Sequence, residues 1–328
     1  MIKLQRLILT RGPIAFFLNR SKHWYLPGFE GVPLYDVLHF FVQQLKTHGL
    51  FERASAIAYN FIMATPPSFL FLFTLIPNLP FISKKSIQVQ LHALIFDIIP
   101  NKIYNKEVIK FIDSFIYGSK IGLLSFGLLF SLFFASSAMM GLMRSFNKKY
   151  LGFEKRKGLH QRWIAIKLTI ILFSLLLAYL LLLISQGALL KLVVKDNSWR
   201  QVIGYSRWVL IILLVFFAIG FIFRYAPAVQ KRWKFRSPGT ILATFLSIMS
   251  SVIFSAFVNN FGHYNVLYGS IGTIMMVMAL IYINSLALLI GFELNVSIKS
   301  LKAIATQREM EERKALSQNS MNGNAGKT

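Results

Sequence analysis

Six apolar runs, each about as long as a bilayer is thick, decide what this chain can fold into. They lie at Ala54–Ile76, Ile121–Met143, Ile164–Leu190, Trp208–Phe223, Gly239–Val258 and Ser270–Phe292. A hydrocarbon core about 30 Å thick is crossed by roughly 20 residues of helix, with about 17–25 as the working range. No run carries an ionisable residue away from its ends; Lys167, one turn into the third, comes nearest. A soluble helix of this length shows a charged face at 3.6-residue spacing, whereas these runs are apolar all round. The expected fold is therefore all-α: a polytopic membrane protein with six transmembrane helices. A hydrophobic content of 55% exceeds that of an average soluble domain and agrees.

The net charge of +24 would suit a nucleic-acid partner, but its distribution points elsewhere. Seven Lys and Arg precede the first run, seven follow the second, five follow the fourth and six follow the sixth, 25 in all. The three alternate loops hold six, four and none, 10 in all. Such alternation is the positive-inside pattern, which places both termini in the cytoplasm. The densest cluster, Arg144–Lys157, has few interleaved aromatics and no RNA-binding signature. It reads as a topology signal in contact with anionic lipid headgroups. Membrane lipids are thus the expected partners and nucleic acid is not.

Three regions follow. Residues 1–53 form an N-terminal cytoplasmic or interfacial segment. Its stretch Leu34–Leu50 gathers Val37, Leu38, Phe40, Phe41 and Leu45 on one side of an amphipathic helix. The first twenty residues lack the continuous apolar core and cleavage site of a signal peptide. Residues 54–299 hold the six spans. Their first external loop, 77–120, is too long for a bare connection and contains amphipathic helical patterns at Ile87–Ile99 and Glu107–Tyr117, divided by Pro100-Asn101. Residues 300–328 form a cytoplasmic tail whose end, Ser317–Thr328, has the composition of a disordered segment.

Catalytic chemistry finds little footing. The chain has no cysteine, so thiolates, disulfides and Cys-bound metals are excluded. Its six histidines are scattered over both faces without metal-ligand spacing, and its carboxylates cluster only at Glu309–Glu312 among basic neighbours. Neither a G-x-S-x-G elbow nor a Walker A loop occurs. No enzymatic activity, metal or cofactor is expected. A proton- or sodium-coupled carrier usually places a carboxylate within its spans, and here only Glu293 approaches, at a cytoplasmic end.

Several segments carry a family resemblance. The last two spans are joined by Asn259-Asn260-Phe261-Gly262-His263-Tyr264-Asn265-Val266-Leu267-Tyr268-Gly269-Ser270-Ile271-Gly272. Ala56-Ile57-Ala58-Tyr59 precedes Pro66-Pro67, Arg144-Ser145-Phe146-Asn147-Lys148-Lys149-Tyr150 follows the second span, and Gly291-Phe292-Glu293-Leu294-Asn295 ends the sixth. In this order and spacing they resemble the YihY/BrkB family, formerly labelled ribonuclease BN-like, over about residues 35–300. Asn60 departs from the pattern, which has an aromatic there. The resemblance implies a six-helix bacterial inner-membrane protein and supplies no secure activity.

The polar residues inside the spans are the remaining functional signal. Asn60 and Thr65 lie in the first span, Ser136 and Ser137 in the second and Asn284 near the middle of the sixth, and Pro66-Pro67 should kink the first helix. A kinked helix beside polar groups is how many midplane substrate sites are built. Tyr59, Asn60, Pro66, Pro67 and Asn284 are therefore candidate pathway residues, and for each polar group taken singly the alternative is bonding between helices. So are Asn259, Asn260, Tyr264, Asn265, Tyr268, Gly269 and Gly272 of the hairpin, where both tyrosines are expected to pack inward. At the cytoplasmic ends, Arg144 and Glu293 are expected in one ion-pair network with Asn147, Asn295, Arg53 or Arg224. Small residues Ala243, Ser247, Ser251 and Ser255, and Gly127, Ser131, Ala135, Ser137 and Gly141, are expected to mark helix contacts. The expected function is handling or translocation of an envelope lipid or other amphipathic anion through a central polar cavity. A membrane scaffold without substrate is the alternative, and a membrane-bound ribonuclease a more distant one.

Overall fold

A computed structural model describes residues 24–47, 49–75, 84–98, parts of 106–114, 121–147, 158–193, 198–229, 232–260 and 264–325. Eight helices account for nearly all of them: α1 (Leu34–Thr47), α2 (Leu50–Leu75), α3 (Lys84–Ile98), α4 (Ile121–Phe146), α5 (Gly158–Val193), α6 (Ser198–Tyr225), α7 (Pro238–Asn260) and α8 (Tyr264–Ala325). Among the described residues five helices, α4 to α8, are long and apolar enough to cross a membrane. The chain is an all-α polytopic membrane protein. The expected first span falls in α2, whose 26 residues reach about 39 Å at 1.5 Å per residue.

The long helices close a ring in chain order. α2 packs on α4, α4 on α5, α5 on α6, α6 on α7, α7 on α8, and α8 returns to α2. Helix α1 lies against α8, and α3 lies against α5. At the end where the basic loops gather, the ring is filled. Ile57 of α2, Phe146 of α4, Leu168 of α5, Phe223 of α6, Ala243 of α7 and Phe292 of α8 belong to one buried cluster. Phe146 stacks on Phe292 with centroids 4.0 Å apart, and Trp233 and Phe223 close around them. Aromatic rings in offset or edge contact fill this volume densely. Elsewhere the ring turns large apolar side chains outward, among them Phe126, Leu129, Phe133 and Ile253, as a lipid-facing surface requires.

Small residues set how closely the helices approach. Gly239 and Gly291 meet where α7 crosses α8. A Cβ on Gly239 would stand 2.1 Å from the Gly291 carbonyl, and one on Gly291 would stand 2.4 Å from the Gly239 carbonyl. The expected stripe continues from there, with Ala243 and Ser247 buried and Ser251 reaching Asn284. Backbones in lipid gain dispersion contact by such approach.

Two helices are unbroken over their full lengths. Helix α2 runs unbroken through Pro66 and Pro67. The missing donors would have served the carbonyls of Ile62 and Met63. The hydroxyls of Thr65 and Ser68 bind the flanking carbonyls of Phe61 and Ala64, at 2.8 and 2.7 Å, the kind of side-chain support that lets a membrane helix keep proline. Helix α8 is continuous for 62 residues, so the helical backbone extends through Ser317–Ala325. Extending an existing helix costs far less than nucleating one.

Candidate functional site

The buried polar contacts concentrate where α2, α4, α7 and α8 meet at the basic end. Arg53, in the first turn of α2, ion-pairs with Glu293 of α8; the two side chains are 6% and 0% exposed. Its Nε also donates to the Ser145 carbonyl of α4 at 3.0 Å. One guanidinium thereby ties three helices, and its Cζ lies 5.9 Å from the Phe292 ring. The expected partner, Arg144, does not join. Its side chain is exposed and makes no ion pair with Glu293. The physical reason is rotational: consecutive residues of a helix lie 100° apart, so Ser145 turns inward and Arg144 turns out.

The two asparagines expected in the network act on neighbouring backbone. Asn295 Oδ1 accepts from Gly239 N at 2.9 Å, and its Nδ2 donates to Ser237 Oγ at 2.9 Å. Ser237 precedes Pro238, the first residue of α7, and accepts from Thr240 N at 3.3 Å. This is a serine N-cap followed by proline, reinforced by an amide from another helix. Asn147 Oδ1 accepts from Ala228 N at 3.0 Å, fixing the segment after α6.

The candidates placed in the membrane do not converge. Tyr59 faces outward, 64% exposed, and Pro66 is exposed as well. Pro67 is half-buried. Asn60 donates to the Ala56 carbonyl at 2.6 Å and fills the notch left by Gly141, where a Cβ would come within 2.5 Å of its Nδ2. Asn284 donates to Leu280 O at 3.0 Å and Ser251 Oγ at 3.3 Å. Each amide is thus engaged within or between helices. In the hairpin, Asn259 and Asn260 end α7, and Tyr264, Asn265, Tyr268 and Gly269 begin α8. Their side chains lie outside the described residues, so the inward packing of both tyrosines does too. Gly272 is buried.

Two cavities occur near these elements. One, of about 270 Å³, opens between α2, α4 and α5 and is lined by Phe61, Ala64, Thr65, Ser68, Ala135 and Thr169 among others. Neither Asn60 nor Asn284 reaches it. The three hydroxyls are each bonded to a carbonyl one turn back, leaving an essentially apolar wall. The other, of about 360 Å³, lies at the basic end beside Pro238 and is lined by Arg232, Lys234, Arg236, Lys299, Lys302 and Glu30. The Glu30 carboxylate binds Lys299 Nζ at 3.2 Å and Lys302 Nζ at 3.3 Å. Partial burial alone would raise its pKa; the charges and hydrogen bonds of Lys299 and Lys302 outweigh that and hold it below the ordinary value. Among the described residues no group of three or more His, Cys, Asp or Glu could hold a metal ion.

The sequence profile of the virulence factor BrkB family matches residues 41–316. The chain belongs to that family. Among its relatives, a Bacillus subtilis protein named ribonuclease-like protein YfkH is 29% identical over 267 residues, covering 77% of this chain and 91% of its own. A UPF0761 membrane protein of Chromohalobacter salexigens is 27% identical over 257 residues, covering 77% of this chain and 60% of its own. No solved structure matches. Two of the segments that carry the resemblance take part in the junction: Arg144–Asn147 supplies the Ser145 carbonyl and Asn147, and Gly291–Asn295 supplies the Gly239 contact, Glu293 and Asn295. Sequence reasoning named Arg53 only as one possible partner of that network and missed the Gly239–Gly291 crossing. A glycine directly after Ser-Pro, at a helix start facing a second mid-helix glycine, was the available signal.

Proposed function

We propose that this family member holds an amphipathic, anionic envelope compound, foremost a lipid, from within the plane of the bacterial inner membrane, with its basic end toward the cytoplasm. The observation that supports this reading is the cavity between α2, α4 and α5. It lies on the apolar flank of the ring beside the double proline, and Phe69 on its rim is exposed. An apolar recess that opens sideways suits an acyl chain better than an ion or a sugar, because its hydroxyls are already bonded within their helices. Translocation through a central polar channel gains no support: the basic end of the ring is filled by Phe146, Phe223, Phe292 and Trp233.

The test is lipid retention. Protein purified in a non-ionic detergent should carry phospholipid by native mass spectrometry. Ala135→Phe, which fills the cavity, should reduce that load several-fold while elution and helical circular dichroism stay unchanged. Equal retention by the variant would defeat the proposal. The second reading, a scaffold without substrate, is favoured by the filled end and predicts no specific lipid in either protein. The ribonuclease reading requires metal-dependent cleavage by purified protein. The name of the Bacillus relative is its only support.

A further inference from the structure

We propose that the basic cavity beside the start of α7 binds a phosphate group, and that Glu30 is an internal carboxylate competing for it. The site is distinct from the lateral cavity and does not rest on the lipid reading.

Five cations and one carboxylate line this cavity of about 360 Å³. The cations come from two separate segments, Arg232, Lys234 and Arg236 from the connection before α7, and Lys299 and Lys302 from α8. Basic residues that serve only to orient a membrane protein need no shared concavity; these converge on one. Lys299 and Lys302 are engaged by Glu30, and Arg232 lies 5.1 Å from the Tyr225 ring. Lys234 and Arg236 form no ion pair among the described residues and remain exposed. Trp233, also in the wall, is 7% exposed, and its Nε1 donor is buried with no hydrogen-bond partner among the described residues. A compact oxyanion with several acceptor oxygens and more than one negative charge matches these cations.

Glu30 itself is held in an unusual way. Its φ of +52° is the only left-handed value of a non-glycine among the described residues, between Gly28 at +95° and Gly31 at +84°. Glutamate is disfavoured there, and such outliers persist where surrounding structure fixes them. Gly28 presses on Pro238, where a Cβ would come within 3.0 Å of the ring. The turn that bears Glu30 is thereby fixed to the cavity wall, with its carboxylate on the two lysines that an incoming phosphate would use.

An anionic phospholipid headgroup and a soluble phosphate compound present the same chemistry, so the experiment has two arms. Full-length protein in a non-ionic detergent is titrated with inorganic pyrophosphate by calorimetry. Separately it is mixed with equal phosphatidylglycerol and phosphatidylcholine and read by native mass spectrometry. Saturable pyrophosphate binding assigns a soluble source; preference for phosphatidylglycerol assigns a headgroup. In whichever arm responds, Lys234→Gln with Arg236→Gln should weaken binding about tenfold, and Glu30→Gln should strengthen it several-fold. Both changes lie on exposed side chains, and unchanged circular dichroism and elution confirm the fold. An affinity that is unchanged or lower in Glu30→Gln overturns the competitor role. Absence of saturable binding in both arms, or indifference to the double substitution, overturns the site.

Discussion

Arg53 and Glu293, 240 positions apart in sequence, form a buried ion pair that joins the first residues of α2 to the middle of α8. Removing one partner of such a pair leaves a desolvated charge, which typically costs about 3–5 kcal/mol. Glu293→Gln and Arg53→Gln should each lower the thermal midpoint in detergent sharply. The double substitution should cost much less than the sum of the two. Arg144→Gln, on an exposed side chain, should stay within about 0.5 kcal/mol of the parent. A large Arg144 effect, or additive Arg53 and Glu293 effects, would contradict this account of the junction.

The Gly239–Gly291 crossing gives a second expectation. Both added methyl groups would meet backbone carbonyls, at 2.1 and 2.4 Å, so the helices themselves must part. Gly239→Ala or Gly291→Ala should destabilise by about 3 kcal/mol or more, visible as lost monodisperse elution. Gly220→Ala meets the movable Phe235 ring at 2.9 Å and should cost less. Equal behaviour of the three variants in a thermal scan would show that the crossing is not as close as described.

Asn295 supports the α7 cap from a different helix. Asn295→Ala removes the acceptor of Gly239 N and the donor to Ser237 Oγ, which should cost about 1–3 kcal/mol because the groups left behind are buried. Hydrogen exchange at Gly239 and Thr240 should rise well before exchange in the centre of α7. Uniform protection in the variant would refute the cross-cap.

Acid should release the turn at Glu30. A carboxyl whose pKa is lowered by folding stabilises above its unfolded value and loses that contribution as pH falls through the lowered one. The groups around it are Lys299 and Lys302, with Arg232, Lys234 and Arg236 in the same wall. Exchange at residues 28–32 should therefore accelerate below the ordinary carboxyl range, and Glu30→Gln should remove the pH dependence. The effect should be small, as Glu30 is 36% exposed.

Orientation is tested by reporters. With 25 basic residues in the loops of one side and 10 in those of the other, a reporter after Thr328 should be active in the cytoplasm and one near Asn101 outside. The reverse pattern would turn the basic cavity outward.

The apolar runs disclosed the helices because length and hydropathy are properties of a segment. The small-residue stripe, from Ala243 to Ser251, disclosed which face of α7 meets α8, because spacing fixes a face. What charge placement could not disclose was rotation. Arg53 and Arg144 both stand at helix ends, and their sequence neighbourhoods do not say which one turns inward. The bonding of the polar residues within the spans was illegible for a similar reason. Asn60 and Asn284 are polar residues at membrane depth, but each finds an acceptor on its own helix, and Gly141 receives the Asn60 side chain. Glu30 was invisible because its conformation depends on Gly28 meeting Pro238, a contact between residues 210 positions apart.

Because α8 closes the ring against α2, the bundle cannot mature in the order in which it is synthesised. Arg53 enters the membrane region first and Glu293 nearly last, so the guanidinium must wait, solvated at the interface, through the insertion of four intervening spans. Until then Ile57, Phe146 and Phe223 lack Phe292 as their filler. A chain stopped before the final helix would present both an unmatched charge and an open aromatic socket. Such a half-built intermediate exposes apolar surface that the complete ring buries.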